Sequence, residues 1–245
     1  MSRNLQCKEG TGLLTFSISY FLEVLPKLLS AIPFTFEVIV VSAVLCILAG
    51  ILVSIIRILR IPILMPITDV WLSFVRSMPF VLLLFLSYFL VPFLLKASGL
   101  VQGSLNKIIY VYITMVFAYA PVIAEIIRPA YFSIEKGQKE AAEVFGMTPA
   151  QEIVQVVMPQ MIPTVLPLLV NQVIEIVKDT SLMYMIGLMD LMGRANLIIT
   201  VHQGIGKLES YLAVAILYWV MIAVLESLMK YLENRQTRIL NRRVS

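Results

Sequence analysis

Beside Thr180, six candidate polar residues fall within eleven positions of an otherwise apolar stretch, "LLVNQVIEIVKDTSL": Asn171, Gln172, Glu175, Lys178, Asp179 and Ser181. Asn171, Glu175 and Lys178 recur at i, i+4 and i+7 and so share one face of a helix, with Gln172 and Asp179 on the adjacent stripe at the same spacing. A carboxylate, an ammonium and amides on one face suit the path of a zwitterionic solute. The same spacing also suits a buried Glu175–Lys178 pair, or hydrogen bonds to a neighbouring helix. Ionisable groups within a membrane span are costly and are functional candidates by default. Arg76 and Glu125 each lie near one end of an apolar run, where a long side chain can snorkel. Glu125 is spaced to pair with Arg128 at i+3. These three, with Pro79, read as gating or structural positions more than as solute contacts.

No catalytic set accompanies them. There is no Gly-x4-Gly-Lys-Ser/Thr loop to cradle phosphates, because "GIGKLES" has Leu208 where Ser or Thr is needed. No nucleophile–base pair and no metal-ligand cluster is present. His202 is the only histidine and reads as an interfacial structural residue. Cys7 and Cys46 are far apart in sequence and read as inert thiols.

The elements that must carry these residues follow from composition. Of 245 residues, 60% are hydrophobic and 14% charged, and the mean hydropathy is +0.92. A soluble domain is nearer half apolar and a quarter charged. The net charge of +4 is too small and scattered to imply nucleic acid. Spanning helices need about 17–25 mostly apolar residues, and five stretches qualify: Phe34–Ile58, Val70–Leu95, Ile108–Ile127, Met161–Val177 and Tyr211–Met229. The fourth is the weakest, since Pro163 and Pro167 lie inside it. Pro79, Pro92, Pro163 and Pro167 free backbone carbonyls within spans. "SLMYMIGLMDLMG" is too short to span and reads as re-entrant or interfacial, with Asp190 and Arg194 at its polar end. The expected fold is an all-α integral membrane protein: residues 1–30 form an N-terminal segment and interfacial helix, 31–232 the membrane domain, and 233–245 a basic tail. Placing the C-terminus inside puts eleven Lys and Arg on the cytoplasmic side against eight outside, with the N-terminus out.

Between the third and fourth spans lies the most polar run, "EKGQKEAAEVFGMTPAQEIVQVVMPQ". Ser133 can cap a short helix that Gly146 ends. Ala141, Ala142 and Phe145 can share one face, with small residues allowing close approach and Phe145 supplying an apolar knob. Thr148 and Pro149 can start a second helix, and Pro159 is expected to break the chain before the fourth span. Taken alone, the run also fits a solvated connector.

Glu140-Ala141-Ala142, three residues, Gly146, nine residues, Val156, one residue, then Met158-Pro159 resembles the EAA loop of bacterial ABC importer permeases. "AEIIR", "KGQKEAAEVFGM", "KDTSL" and "VWLSFVRSMPFVLLLFLSYF" are similar to the branch that takes up polar amino acids such as histidine, arginine, glutamine or cystine. The resemblance runs from about Ile32 to the C-terminus. Two stretches depart from it: Arg76-Ser77-Met78-Pro79 stands where the branch has Arg-Gly-Thr-Pro, and Arg128-Pro129-Ala130 where it has Arg-Gly-Gly. The resemblance implies a type I importer permease in the bacterial cell membrane. It also implies coupling through Glu140, Ala141, Ala142, Phe145, Gly146 and Pro159 to a dimer of separate ATPase subunits that carry the ATP and Mg, with no cofactor in this chain. It further implies a second permease subunit, an extracellular or periplasmic solute-binding protein and an amino-acid solute. A secondary transporter or channel without an ATPase is the alternative.

Overall fold

The structure is a computed structural model; it describes residues 16–99 and 105–244, with the backbone alone over 232–244. Cys7 and the side chains of the basic tail lie outside the described residues. Twelve helical segments follow one another: α1 (Ile18–Leu29), α2 (Ile32–Ile58), α3 (Leu64–Ser77), α4 (Phe80–Ala97), α5 (Lys107–Phe132), α6 (Lys136–Val144), α7 (Pro149–Glu152), a π turn (Ile153–Val157), α8 (Met158–Thr180), a 3-10 turn (Met183–Ile186), α9 (Leu191–Val201) and α10 (Lys207–Val244). Five runs are long and apolar enough to cross a membrane: Ile32–Ile58, Phe80–Ala97, Lys107–Phe132, Pro149–Ile186 and Lys207–Tyr231.

The bundle is organised on α2 against α5. Small residues let their backbones approach: Cys46, Gly50 and Ser54 on α2 lie among the buried positions, as do Ala120 and Ala124 on α5. At Gly50 a Cβ would stand 2.4 Å from Ile123 Cγ2, so only glycine fits without the helices moving apart. Leu84, Val111, Met115 and Ile176 complete this core from α4, α5 and α8. A second cluster joins Val24 and Leu28 of α1 to Leu191, Ala195 and Ala213, so the N-terminal helix packs on α9 and α10.

Three expectations are corrected. The stretch Val70–Leu95 is not one span. Met78 is extended (φ −110°, ψ 133°) and Pro79 caps the start of α4, as expected where a proline disfavours the helical conformation of the residue before it. The chain therefore turns between α3 and α4. Pro159 does not break the chain, because helical structure runs without interruption from Pro149 to Thr180. The π turn immediately before it widens the helix where the proline ring would meet a preceding carbonyl. Asp190 does not mark a polar surface. It is fully buried and caps α9, accepting from the N–H groups of Gly193 (2.9 Å) and Met192 (3.3 Å).

Candidate functional site: a charged cavity beside a protruding helix

The polar loop folds as a short helix held against the bundle at its base. Glu135, not Ser133, precedes α6, and no side chain caps it. Ser133 instead closes α5, its hydroxyl donating to the Ala130 carbonyl at 2.8 Å, because α5 continues through Phe132. Gly146 adopts φ +73°, and the Gly146 and Met147 N–H groups close back on the Glu143 and Ala142 carbonyls. This is the left-handed helix stop that favours glycine. The expected shared face divides: Ala142 is 3% exposed and packs inward, whereas Val144 (86%) and Phe145 (83%) stand in the open, with Glu140 and Ala141 also exposed. Lys139 anchors α6 to α5, its ammonium 3.6 Å from the centre of the Tyr131 ring. Gln138 accepts from Gln160 of α8. Thr148 and Gln151 form a reciprocal capping box at α7, with Pro149 in its first turn.

The six polar residues of the fourth span do not stay together. A cavity of about 460 Å³ opens between α3, α5 and α8, and Arg76, Glu125, Thr164, Asn171 and Gln172 are among its lining residues. Two residues expected on the solute path thus meet two expected at a gate. Further along α8, Glu175 and Lys178 pair with each other, both side chains 52% exposed. Asp179 accepts a 2.8 Å hydrogen bond from the hydroxyl of Tyr119 on α5. The Ser181 hydroxyl donates to the Lys178 carbonyl at 2.6 Å. A half-exposed ion pair on a spanning helix faces water or another protein surface at lower cost than it faces lipid.

Glu125 has a partner that its local spacing did not suggest. Arg128, three residues on, lies over Phe132 instead. Glu125 Oε2 sits 3.0 Å from Arg57 Nη2, and the same nitrogen donates to Asp69 Oδ1 at 2.7 Å. Arg57 is 4% exposed, although it lies in the last turn of α2. One signal was available: Arg57 continues the stripe Cys46, Gly50, Val53 that α2 presents to α5. Its Nε and Nη1, and Glu125 Oε2 itself, have no hydrogen-bond partner among the described residues. The Arg57–Glu125 contact is therefore an ion pair without hydrogen-bond alignment. Asp190 forms a second buried node, which also accepts a 3.3 Å bond from the Tyr218 hydroxyl. Burial pushes its carboxyl up to about 6, against the lowering effect of its hydrogen bonds to Gly193, Met192 and Tyr218.

Residues 47–238 match the family described as binding-protein-dependent transport system inner membrane component. The L-cystine transport system permease protein TcyL of Bacillus subtilis (strain 168) is 31% identical over 228 residues, covering 91% of this chain and 95% of that protein. The probable amino-acid ABC transporter permease protein PatM of Vibrio harveyi is 29% identical over 86% of this chain and 92% of its own length. Among solved structures, that of an amino acid ABC transporter with histidines superposes with a TM-score of 0.76 at 24% identity, covering 91% of this chain and 100% of the other. The inward-facing methionine transporter MetNI superposes at 0.69 with 18% identity, over 87% and 98% of the two chains. At these identities the two structures speak to the fold alone.

Proposed function

The chain belongs to the family of binding-protein-dependent transport system inner membrane components, and from that membership we propose that it passes a polar amino acid across a bacterial cell membrane as one permease subunit of an ATP-driven importer. It is a permease subunit with several membrane-spanning helices and not itself an enzyme. The names of its relatives support an amino acid as the solute. ATP and its Mg belong to a separate ATPase dimer, which docks on α6. A second permease subunit, this chain or a homologue, completes the membrane portion, and an external binding protein delivers the solute. The N-terminus lies outside, and the C-terminus lies inside with α6. The solute passes the cavity residues Asn171 and Gln172 and then the Glu175–Lys178 pair, with Asp179 and Ser181 further along α8 and Arg76, Pro79, Glu125 and Arg128 as gating or structural residues.

The observation that carries this reading is α6. Its base is tied to α5 and α8, yet it ends on two apolar side chains that are more than four-fifths exposed. A channel or secondary transporter needs no ATPase for Phe145 to meet. Phe145→Asp with Val144→Asp is expected to leave the permease in the membrane. The ATPase subunit is then lost on purification, and uptake falls at least tenfold. Full ATPase recovery and full uptake in this variant would sink the proposal.

A further inference from the structure

We propose that Arg60 and Arg128 hold the phosphate of an anionic phospholipid at the membrane surface, between the ends of α2 and α5. Both guanidinium carbons lie 5.7 Å from the centre of one ring, that of Phe132. Two like charges therefore border a single aromatic ring. The acids that could have neutralised them are already taken. Glu125, one helical turn before Arg128, contacts Arg57, and Asp69 hydrogen-bonds the same Arg57 nitrogen. Among the described residues no carboxylate comes within 4.0 Å of Arg60 or Arg128. Arg128 Nε is shielded from solvent and has no acceptor.

The backbone is arranged to bring them together. Arg60 adopts φ +50°, the left-handed conformation that glycine usually takes just past a helix end. An arginine there directs its side chain over the end of α5 at some conformational cost. A shared anion would remove the repulsion between the two guanidiniums, and their planar forks match phosphate oxygens.

The surroundings select a lipid over a soluble acidic partner. Leu59 is 66% exposed, Ile63 76% and Phe132 45%. This apolar surface beside the cationic pair suits acyl chains below a headgroup, at the depth where a span ends. Basic pockets between helix ends recognise anionic headgroups in this way.

The test uses the assembled transporter in nanodiscs of phosphatidylcholine, with or without phosphatidylglycerol, and native mass spectrometry to count retained lipids. At roughly fivefold per basic residue, the wild type is expected to prefer phosphatidylglycerol by about thirtyfold. R60Q/R128Q abolishes the preference, R60K/R128K keeps part of it, and R60Q alone, changing only an exposed residue, loses part of it while leaving the melting temperature unchanged. Inorganic phosphate does not displace the lipid. Equal phosphatidylglycerol retention by wild type and R60Q/R128Q would overturn the proposal. Displacement by inorganic phosphate would overturn it in favour of a free-anion site. Loss of the ATPase subunit from R60Q/R128Q in phosphatidylcholine alone would overturn it in favour of an acidic protein surface.

Discussion

Two of the carboxylates that the sequence places within spans, Glu125 and Glu175, find opposite solutions. Glu125 passes over the arginine one turn away and meets Arg57 of another helix, at a point where Arg57 is 95% buried by side chain. Glu175 pairs with Lys178 on its own helix, and both remain half exposed. The inner cluster ties α2, α3 and α5 together through one guanidinium. The outer pair ties nothing together. The first arrangement is architecture, because each charge is needed to keep another from being stranded. The second leaves both charges available to something outside the chain.

Removing the shared cation should break this comparison most strongly. Arg57→Leu leaves Asp69 and Glu125 without their counter-charge. Asp69 is 48% exposed and rehydrates, whereas Glu125 is 32% exposed and bears most of the loss. Breaking a buried pair typically costs about 3–5 kcal/mol, and the low end, about 3 kcal/mol, is expected here. The measurement is the melting temperature of the purified complex with the yield of folded protein. Arg57→Lys restores the charge but not a fork able to reach two acids, so it should fall between. A wild-type melting temperature in Arg57→Leu would show that the cluster is no more structural than the outer pair.

Asp190 extends the comparison to a buried acid with no cation. Its folded pKa is raised to about 6 from an ordinary 3.8. Between about pH 4 and pH 6 the folded state therefore holds more protons than the unfolded state, and stability falls as pH rises through that window. It is flat above about 6, with a total change of at most about 3 kcal/mol at 1.36 kcal/mol per unit. Melting temperature against pH should show this slope in the wild type and lose most of it in Asp190→Asn, which keeps a side-chain oxygen for the Gly193 N–H. An unchanged slope in the variant assigns the pH dependence to other groups.

What the sequence revealed and what it concealed follow the same division. Local features were legible. Apolar length located four of the five spans and the second half of the other, which begins at Phe80 and not at Val70; Gly146 ended α6, and Thr148 with Pro149 opened α7. Each depends on residues within a few positions of one another. Partnerships across helices were not legible. Glu125 had a nearer candidate in Arg128, and the stripe that turns Arg57 inward does not say that Asp69, twelve positions on, would be its partner. Ala142 and Phe145 could share a face by spacing, but which residue meets the bundle depends on where α5 and α8 lie. The π turn was hidden for a related reason: Pro159 forbids an ordinary turn without saying whether the chain breaks or widens. The candidate site was therefore visible as a set of residue types, while its division into cavity, outer pair and buried node came only from packing.

Glu175 offers the smallest effect on stability and the sharpest test of what the outer pair is for. An exposed ion pair contributes about 0–1 kcal/mol, so Glu175→Gln should change the melting temperature of the complex by no more than a few degrees. The side chain keeps its shape and its capacity to accept from Lys178. If the pair were present only to steady α8, uptake per folded complex would then stay at the wild-type level. Yet a carboxylate and an ammonium, each half exposed on a spanning helix, are costly against lipid, and pairing within one turn does not remove that cost. Their open sides must meet water or another subunit. Glu175 follows Asn171, which lines the cavity, by one helical turn on the same face, so a path leaving that cavity along α8 reaches the carboxylate next. A solute ammonium passing there would lose its countercharge in the variant. Uptake per complex is therefore expected to fall about tenfold, corresponding to about 1.4 kcal/mol, with ATPase recovery and basal ATP hydrolysis unchanged. Transport assays normalised to folded complex decide the point. Wild-type uptake per complex would take Glu175 off the path and leave the outer pair, like the inner one, a matter of structure.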